Sequence, residues 1–570
     1  PLYYNASENV LTLQGDTLAT QPVALKGLYR VLIEISDLFY SDATVSPGDV
    51  QREVVRRLHA HRNLGEDFET IQVLEPQYIT VTARIEIGPV DDAEQVLLAI
   101  YQQLANYVSP SIPFYTLDQL LAAGKPVDEI FEGPLLEHGF IETADLKQAQ
   151  RRTTLHTSDM IHLIMAVPGV RAVTTISISD GGAPQAWALN LDPNKAPKLN
   201  IQASELRLER NRLTASVAVE NVRLLYYQGL RHSAIIHQRA QDQRALQPPA
   251  GRMRNVGRYY SLQHQFPATY GIGASGLPAS ASPQRQAQAK QLKAYLLFFD
   301  QLLANYFAQL AHVGGLFSFA GDTAQTYFAQ LIDDPTLGLA DILPADRVAY
   351  QARLQQITEN PYAAAGGATA QPDFRRRNRF LNHLLARFAE QFTDYSLVLY
   401  GAMAAEGIAP DQKLVQDKQA FLQEYPQLSS ARGTAFDYLS PASVANRSGL
   451  EKRLRRKLGI DDADEAFYLV EHILLRPMQG DAVQEVPILA VPQRKDPYSL
   501  QVSFVFPNWL PRYQDASFKA FVERTVREET PAHLLPQLHW LDQTAFADFA
   551  TAYQDWLDKR RGYWTESLGG

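Results

Sequence analysis

Residues 291–313, QLKAYLLFFDQLLANYFAQLAHV, read as one long helix carrying more apolar surface than a single core-facing stripe requires. Leu292, Leu296, Phe299, Leu303, Tyr306, Leu310 and Val313 follow alternating steps of four and three, the heptad spacing of a packed helix pair. Tyr295, Phe298 and Leu302 form a second stripe beside it. Such a helix buries two sides at once, one against its own domain and one against another chain. That reading makes the protein an assembly component. A central core helix of a large domain gives the same periodicity without a partner.

A second helix is expected from about 374 to 403, with Phe380, Leu384, Phe388, Phe392, Tyr395 and Leu399 on one face and the first helix as its partner. It opens on Arg375, Arg376, Arg377 and Arg379, rigid forks suited to carboxylates. They stand at the positive end of the helix dipole, which points to acidic partners, although a solvated basic helix start is an equal alternative. Phe298, Phe299, Tyr306 and Phe307 are the expected aromatic anchors of an interface, with Arg375, Arg376 and Arg377 as its polar members.

Outward from this helical centre the pattern changes. Residues 28–107 read as strand, helix, two strands and helix, a small ferredoxin-like layer. SDMIHLIMAVPGV is a short helix ended by Pro168 and Gly169, followed by the strand AVTTISIS. Residues 181–283 look irregular, with strand patterns such as LTASVAVENVRLLY between Pro- and Gly-containing segments. Residues 496–557 read as strand, helix, strand, helix. The expected fold is therefore α+β and multidomain, with ferredoxin-like small α/β units flanking a helical bundle region. Its divisions fall at 1–108, 109–180, 181–283, 284–410, 411–495 and 496–570.

The 570 residues give room for several cores. A net charge of -9 argues against a general nucleic-acid binder, whose affinity comes from replacing counterions with Lys and Arg. The absence of cysteine excludes disulfides, thiolate metal sites and a cysteine nucleophile. No apolar run approaches the ~20 residues of a membrane span, so no direct membrane insertion is expected. Pro1 in place of methionine leads us to expect further chain upstream.

Signals for chemistry are weak. Gly271, Gly273 and Gly276 fit G-x-G-x-x-G, but FPATY before and LPASASP after them lack the strand and helix a dinucleotide site needs, so a flexible loop is expected. Gly124-Lys125 is followed by Pro126, where a phosphate loop needs Ser or Thr. His59 and His61 with Glu66 and Asp67 read as a solvated helix end, since i and i+2 point to different faces. His232 and His237 lack H-E-x-x-H spacing. Arg453, Arg455, Arg456 and Lys457 before Gly459 read as an ordinary helix C-terminus, where cations oppose the dipole and glycine caps. No catalytic residue, metal ligand or cofactor is assigned, and a non-enzymatic protein is expected.

Seven strings then occur in one order: IFEGPLLEHGFI (130–141), SDMIHLIMAVPGVRAV (158–173), QLKAYLLFFDQLLANYFAQL (291–310), RRNRFLNHLLARFAEQFTDY (376–395), YLVEHILLRP (468–477), DPYSLQVSFVFPNWLPRY and ETPAHLLPQLHWL. Together they resemble a baseplate wedge protein of contractile injection systems, the phage-tail-like particles whose wedge subunits include the baseplate J group. The resemblance covers nearly the whole chain and is weakest in the middle. It implies a structural subunit of a six-fold hetero-oligomeric ring around hub and spike, contacting a second wedge subunit and the sheath. It further implies assembly in the bacterial cytoplasm, with release of the particle as an option. The change of shape on firing leads us to expect joints at 181–283 and 363–371. A baseplate-associated hydrolase and a receptor- or glycan-binding module are the alternatives. The second would draw on Trp509, Trp540 and Trp564, of which Trp509 and Trp540 are more simply read as core of the last unit.

Overall fold

The computed structural model describes residues 2–569 except 6–9, 14, 16–19, 37–45, 133–138, 212, 243–250, 252–253, 319–322, 363–371, 393–408, 461–464, 478–484 and 488–495. The chain forms two compact units, one of Tyr29–Arg57 with Phe68–Ala250, the other of Pro1–Leu28, Leu58–Asp67 and Gly251–Gly570. The architecture is α+β and multidomain, built from several small sheets. Among the described residues no helix is long and apolar enough to cross a membrane.

The first of these units is organised by strand Glu75–Ile87. Ile79, Val81, Ala83, Ile85 and Ile87 alternate into the core while Tyr78, Thr82 and Arg84 face out, the period-two signature of a sheet covered on one side. The strand pairs antiparallel with Val170–Ser179 on one edge. On the other it pairs parallel with Lys195–Leu199 along its first part and with Glu205–Arg210 further on. Helices Ala93–Val108, Thr157–Met165 and Val219–Asp242 cover the apolar face through Ile100, Leu104, Met160, Ile164, Val222 and Tyr226. Asp92 caps the first of them, accepting from Glu94 N at 2.8 Å and Gln95 N at 3.2 Å. Gly169, at φ +94°, turns the second helix into its strand where a Cβ would meet Val90.

The strand, helix, two-strand, helix order expected for 28–107 is present, but its strands divide between sheets. Leu28–Ile33 pairs with Asp67–Val73 alone, while Glu75–Ile87 centres the larger sheet. The reading of LTASVAVENVRLLY as strand is corrected. Only Leu213–Thr214 is extended, and VENVRLLY opens the 24-residue helix Val219–Asp242. Ala215, Val217 and Val219 mimic strand alternation up to its first turn, yet within it Val222 and Tyr226, one turn apart, are buried.

In the other unit, the last section follows its expected order. Strand Gln501–Pro507 is buried at every residue, runs parallel to Leu535–Leu541 and antiparallel to Tyr468–Glu471, and is followed by helix Ala516–Glu529. Terminal helix Gln543–Gly569 closes the chain. Trp540 stacks on Phe506 at 5.0 Å and Trp509 meets Phe546 at 5.2 Å, while Trp564 is 3% exposed. All three are thus spent on packing.

The second predicted helix is shorter than expected and has another main partner. It spans Phe374–Ala386, and the contacts it makes are chiefly with Pro410–Ser430. Residues 393–408, including Tyr395 and Leu399, lie outside the described residues, as does the joint expected at 363–371. Between the paired helices Lys418 is buried and its Nζ donates to Asn378 Oδ1 at 2.6 Å and Asn382 Oδ1 at 2.5 Å. Burial pulls its ammonium down to about 8. The unfolded chain therefore binds more protons between about pH 8 and the ordinary lysine value, and stability contributed by this site rises with pH across that window. From pH 8 to about 10.4 the melting temperature of wild type should rise relative to that of Lys418→Met, which lacks the titrating group.

Candidate assembly interface

Helix Pro283–Leu316 starts at Ser282, whose hydroxyl accepts from Arg285 N, and runs for 34 residues. The side it turns to its own unit is not the heptad stripe. Leu296, Asp300, Ala304 and Ala308, spaced by four, form it with Ala289 and Leu297. Asp300 is 0% exposed and accepts four hydrogen bonds, from Tyr259 Oη at 2.6 Å, Ser261 Oγ at 2.9 Å, Leu262 N at 3.0 Å and Gln263 Nε2 at 2.8 Å. Burial together with this carboxylate pushes the Tyr259 phenol well up.

Ala304 and Ala308 let the irregular chain at 326–330 run close beside the helix. Its backbone has glutamine side chains in place of sheet partners. Gln301 donates to Gln330 O at 2.8 Å, Gln309 donates to Thr326 O at 3.1 Å and accepts from Phe328 N at 3.2 Å. From helix Arg347–Glu359, Gln355 accepts from Ala329 N at 2.9 Å and donates to Tyr327 O at 2.7 Å. This arrangement satisfies buried backbone without a strand.

With small and polar residues facing inward, the large apolar ones face outward. Phe298 is 78% exposed, Tyr295 and Tyr306 60%, Leu310 58%, Leu302 54% and Phe299 48%, with Leu303, Phe307 and Val313 also on the surface. Of the expected seam only Leu292 and Leu296 pack against the unit's own small cluster. From Tyr295 to Leu316 the helix has no Lys, Arg or Glu, and its one Asp is the buried Asp300. The result is a ridge ~27 Å long at 1.5 Å per residue, uncharged and apolar.

The arginines are placed differently. Arg376 is drawn inward, pairing with Glu359 and Asp373 at 3.0 Å each and lying over the Tyr327 ring. Arg377 is 0% exposed and donates from Nη1 to Leu316 O at 3.0 Å. Arg375 presents its side chain to solvent, 87% exposed beside Asp411, and Arg379 is exposed as well.

Two ionic knots were invisible to spacing along the chain. In one, Arg62 and Glu471, both 0% exposed, pair at 2.5 Å, and Gly65 N donates to the same carboxylate at 2.8 Å. Asp67 beside them pairs with Arg476 at 2.5 Å and accepts from Tyr438 Oη at 2.9 Å. Burial would raise the Asp67 carboxyl, but the guanidiniums of Arg476, Arg62 and Arg560 hold it below its ordinary value. His59 is buried against Tyr438 and Trp564, so the reading of His59 and Asp67 as a solvated helix end is corrected.

In the other knot, Arg453 and Lys457 each pair with both Glu390 and Glu529. Gly459 does cap the helix in the left-handed region, as the sequence implies, but Arg453, Arg455 and Lys457 are buried. Both carboxylates are committed to cations. Among the described residues, His472 Nε2 lies 2.8 Å from Ser503 Oγ, a base and a hydroxyl within hydrogen-bond reach. Ser503 is 8% exposed within a wholly buried strand, which leaves a substrate no approach to Oγ. Gly271, Gly273 and Gly276 follow a short turn, Ala268–Tyr270, rather than a strand. His232 and His237 lie on helix Val219–Asp242, with side chains outside the described residues.

Comparison with known proteins agrees with the strings. Residues 75–203, which hold the central strand and much of the helical cover of its unit, match the family described as baseplate wedge Pvc12-like domain 3. The chain is similar to a chain of the cryo-EM structure of the anti-feeding prophage baseplate, 6-fold symmetrised. The TM-score is 0.51 and the identity 22%, over 76% of this chain and 75% of that one, a likeness of fold. No curated protein sequence matches. The chain thus carries a Pvc12-like baseplate wedge domain and resembles, in sequence strings, family match and fold, the baseplate wedge proteins of contractile injection systems.

Proposed function

We propose that this chain is a structural wedge subunit that builds a six-fold ring linking the central hub and spike to the sheath, and that it passes the contraction trigger through that ring. The observation that carries the reading is the ridge on Pro283–Leu316. Phe298, Phe299, Tyr306 and Phe307 are its anchors, and the occupant is a helix of a second wedge subunit. The heptad spacing of the exposed residues supports a helical occupant. The absence of charge along the ridge supports an obligate contact rather than a transient polar one. Arg375 is the arginine placed to add a rim contact, whereas Arg376 and Arg377 serve the fold. In this reading the particle is assembled in the bacterial cytoplasm.

Phe298→Glu with Tyr306→Glu places two charges on the ridge at positions that are more than half exposed. The variant should fold and melt as wild type, yet fail to form the complex when co-expressed with the other baseplate subunits of its particle. Recovery of the complex at wild-type yield would remove the ridge from the assembly.

A further inference from the structure

The ridge does not stop at Val313. Phe317, which closes the helix, stands one further step of four along the heptad spacing and is 38% exposed. Its ring meets Phe380 at 5.6 Å and His383 at 6.1 Å, both on helix Phe374–Ala386. The apolar surface therefore runs onto the flank of that helix.

That flank is basic. From 374 to 389 the chain has five arginines, one histidine and no Asp or Glu. Arg376 and Arg377 turn inward, whereas Arg375, Arg379, His383 and Arg387 follow steps of four and are all exposed. They make a stripe about 18 Å long at 1.5 Å per residue. Arg375 has its exposed pair with Asp411, and among the described residues no carboxylate pairs with Arg379, His383 or Arg387. Like charges one turn apart weaken a helix, and of the three arginines only Arg387 sits at the end where the dipole favours a cation. The fold gains nothing from this arrangement. An uncharged ridge joined to an unpaired basic stripe calls for a covering segment of matching character, apolar and then acidic.

We infer that the segment of the second wedge subunit that covers the ridge continues past Phe317 into an acidic stretch, whose Asp or Glu side chains pair with Arg375, Arg379 and Arg387. This rests on the ridge being the interface. A nucleic acid would also satisfy the arginines through its phosphates, but it brings no apolar face to the aromatic ridge that adjoins them. The charged end fixes the direction in which the partner lies, which an uncharged ridge leaves open.

The test is Arg379→Glu with Arg387→Glu, compared with Phe298→Glu with Tyr306→Glu, each co-expressed with the other baseplate subunits of the particle. The isolated reversal variant should melt as wild type, because both side chains are exposed and unpaired. Its complex yield should fall by about tenfold or more, since reversal sets like charges against the acidic stretch. Arg379→Gln with Arg387→Gln should assemble in lower yield than wild type and change less between low and high salt. Loss of assembly in the ridge variant with full assembly in the reversal variant overturns the acidic contact and leaves the ridge in place. Full assembly in both overturns the ridge as well. Loss in the reversal variant with full assembly in the ridge variant overturns the joined surface, since the stripe would then serve a contact of its own. Duplex DNA bound by the isolated chain and released by the reversal, with the complex still formed in full, assigns the stripe to nucleic acid instead. An isolated reversal variant that melts below wild type also overturns the inference, because the arginines would then serve the chain's own fold.

Discussion

Glu471→Ala should destabilise its unit by about 3 to 5 kcal/mol, because it leaves Arg62 buried without its counter-ion. Both partners are 0% exposed, and the carboxylate also holds Gly65 N, so the loss takes a backbone acceptor with it. Residues 62–67 are further tied by Ala435 N to Arg62 O at 2.8 Å and by Arg62 to Phe436 O at 3.1 Å. Removing the carboxylate should therefore loosen the attachment of 58–67 to the body of its own unit. Urea denaturation followed by tryptophan fluorescence reads this well, since Trp564 donates to Tyr438 Oη in the same knot. The double variant Arg62→Met with Glu471→Leu should recover most of the loss, as apolar replacement of a buried pair is often neutral. A double variant as unstable as Glu471→Ala would mean that the ions themselves, and not their pairing, hold the segment.

Asp300→Ala is the second large effect, also about 3 to 5 kcal/mol, from several donors losing one acceptor together. Tyr259, Ser261, Leu262 and Gln263 all converge on this carboxylate, which pins 259–263 to the core side of the long helix. The ridge lies on the opposite side. The variant should therefore lose stability and gain proteolytic sensitivity near 259–263, with the isolated helix face unaltered in sequence. Asp300→Asn should cost less, since its amide oxygen still accepts. Equal stability of wild type and Asp300→Ala, measured by urea denaturation, would contradict the role given to this residue.

These two residues mark where sequence reading stops. The C-terminal strand, helix, strand, helix order and the one-sided strand Glu75–Ile87 were legible because local periodicity and burial agree there. The excess apolar surface of 291–313 was equally plain, but which stripe faces outward was not. Periodicity counts large apolar residues, whereas the inward side here is Asp300, Ala304 and Ala308, made compatible with burial by donors some 40 positions away. The same distance hides the knots, in which Arg62 meets Glu471 across 409 positions. It also hides Arg376 and Arg377, whose inward turn depends on Glu359 and Leu316. Helix Val219–Asp242 was misread for a local reason, the alternation of Ala215, Val217 and Val219 that runs into its first turn.

Among the described residues the ridge is a large apolar surface that the fold of the chain leaves uncovered. Its aromatic residues would be costly to expose on an isolated protein and become ordinary once a second helix covers them. The most direct measurement is native mass spectrometry, with cryo-EM of the same sample, on the chain co-expressed with the other baseplate subunits of its particle. The account predicts a hetero-oligomer or six-fold ring in which Phe298, Phe299, Tyr306 and Phe307 are buried by a helix of a second wedge subunit. A stable monomer that leaves those four side chains in solvent, or a complex assembled through another face, would contradict it.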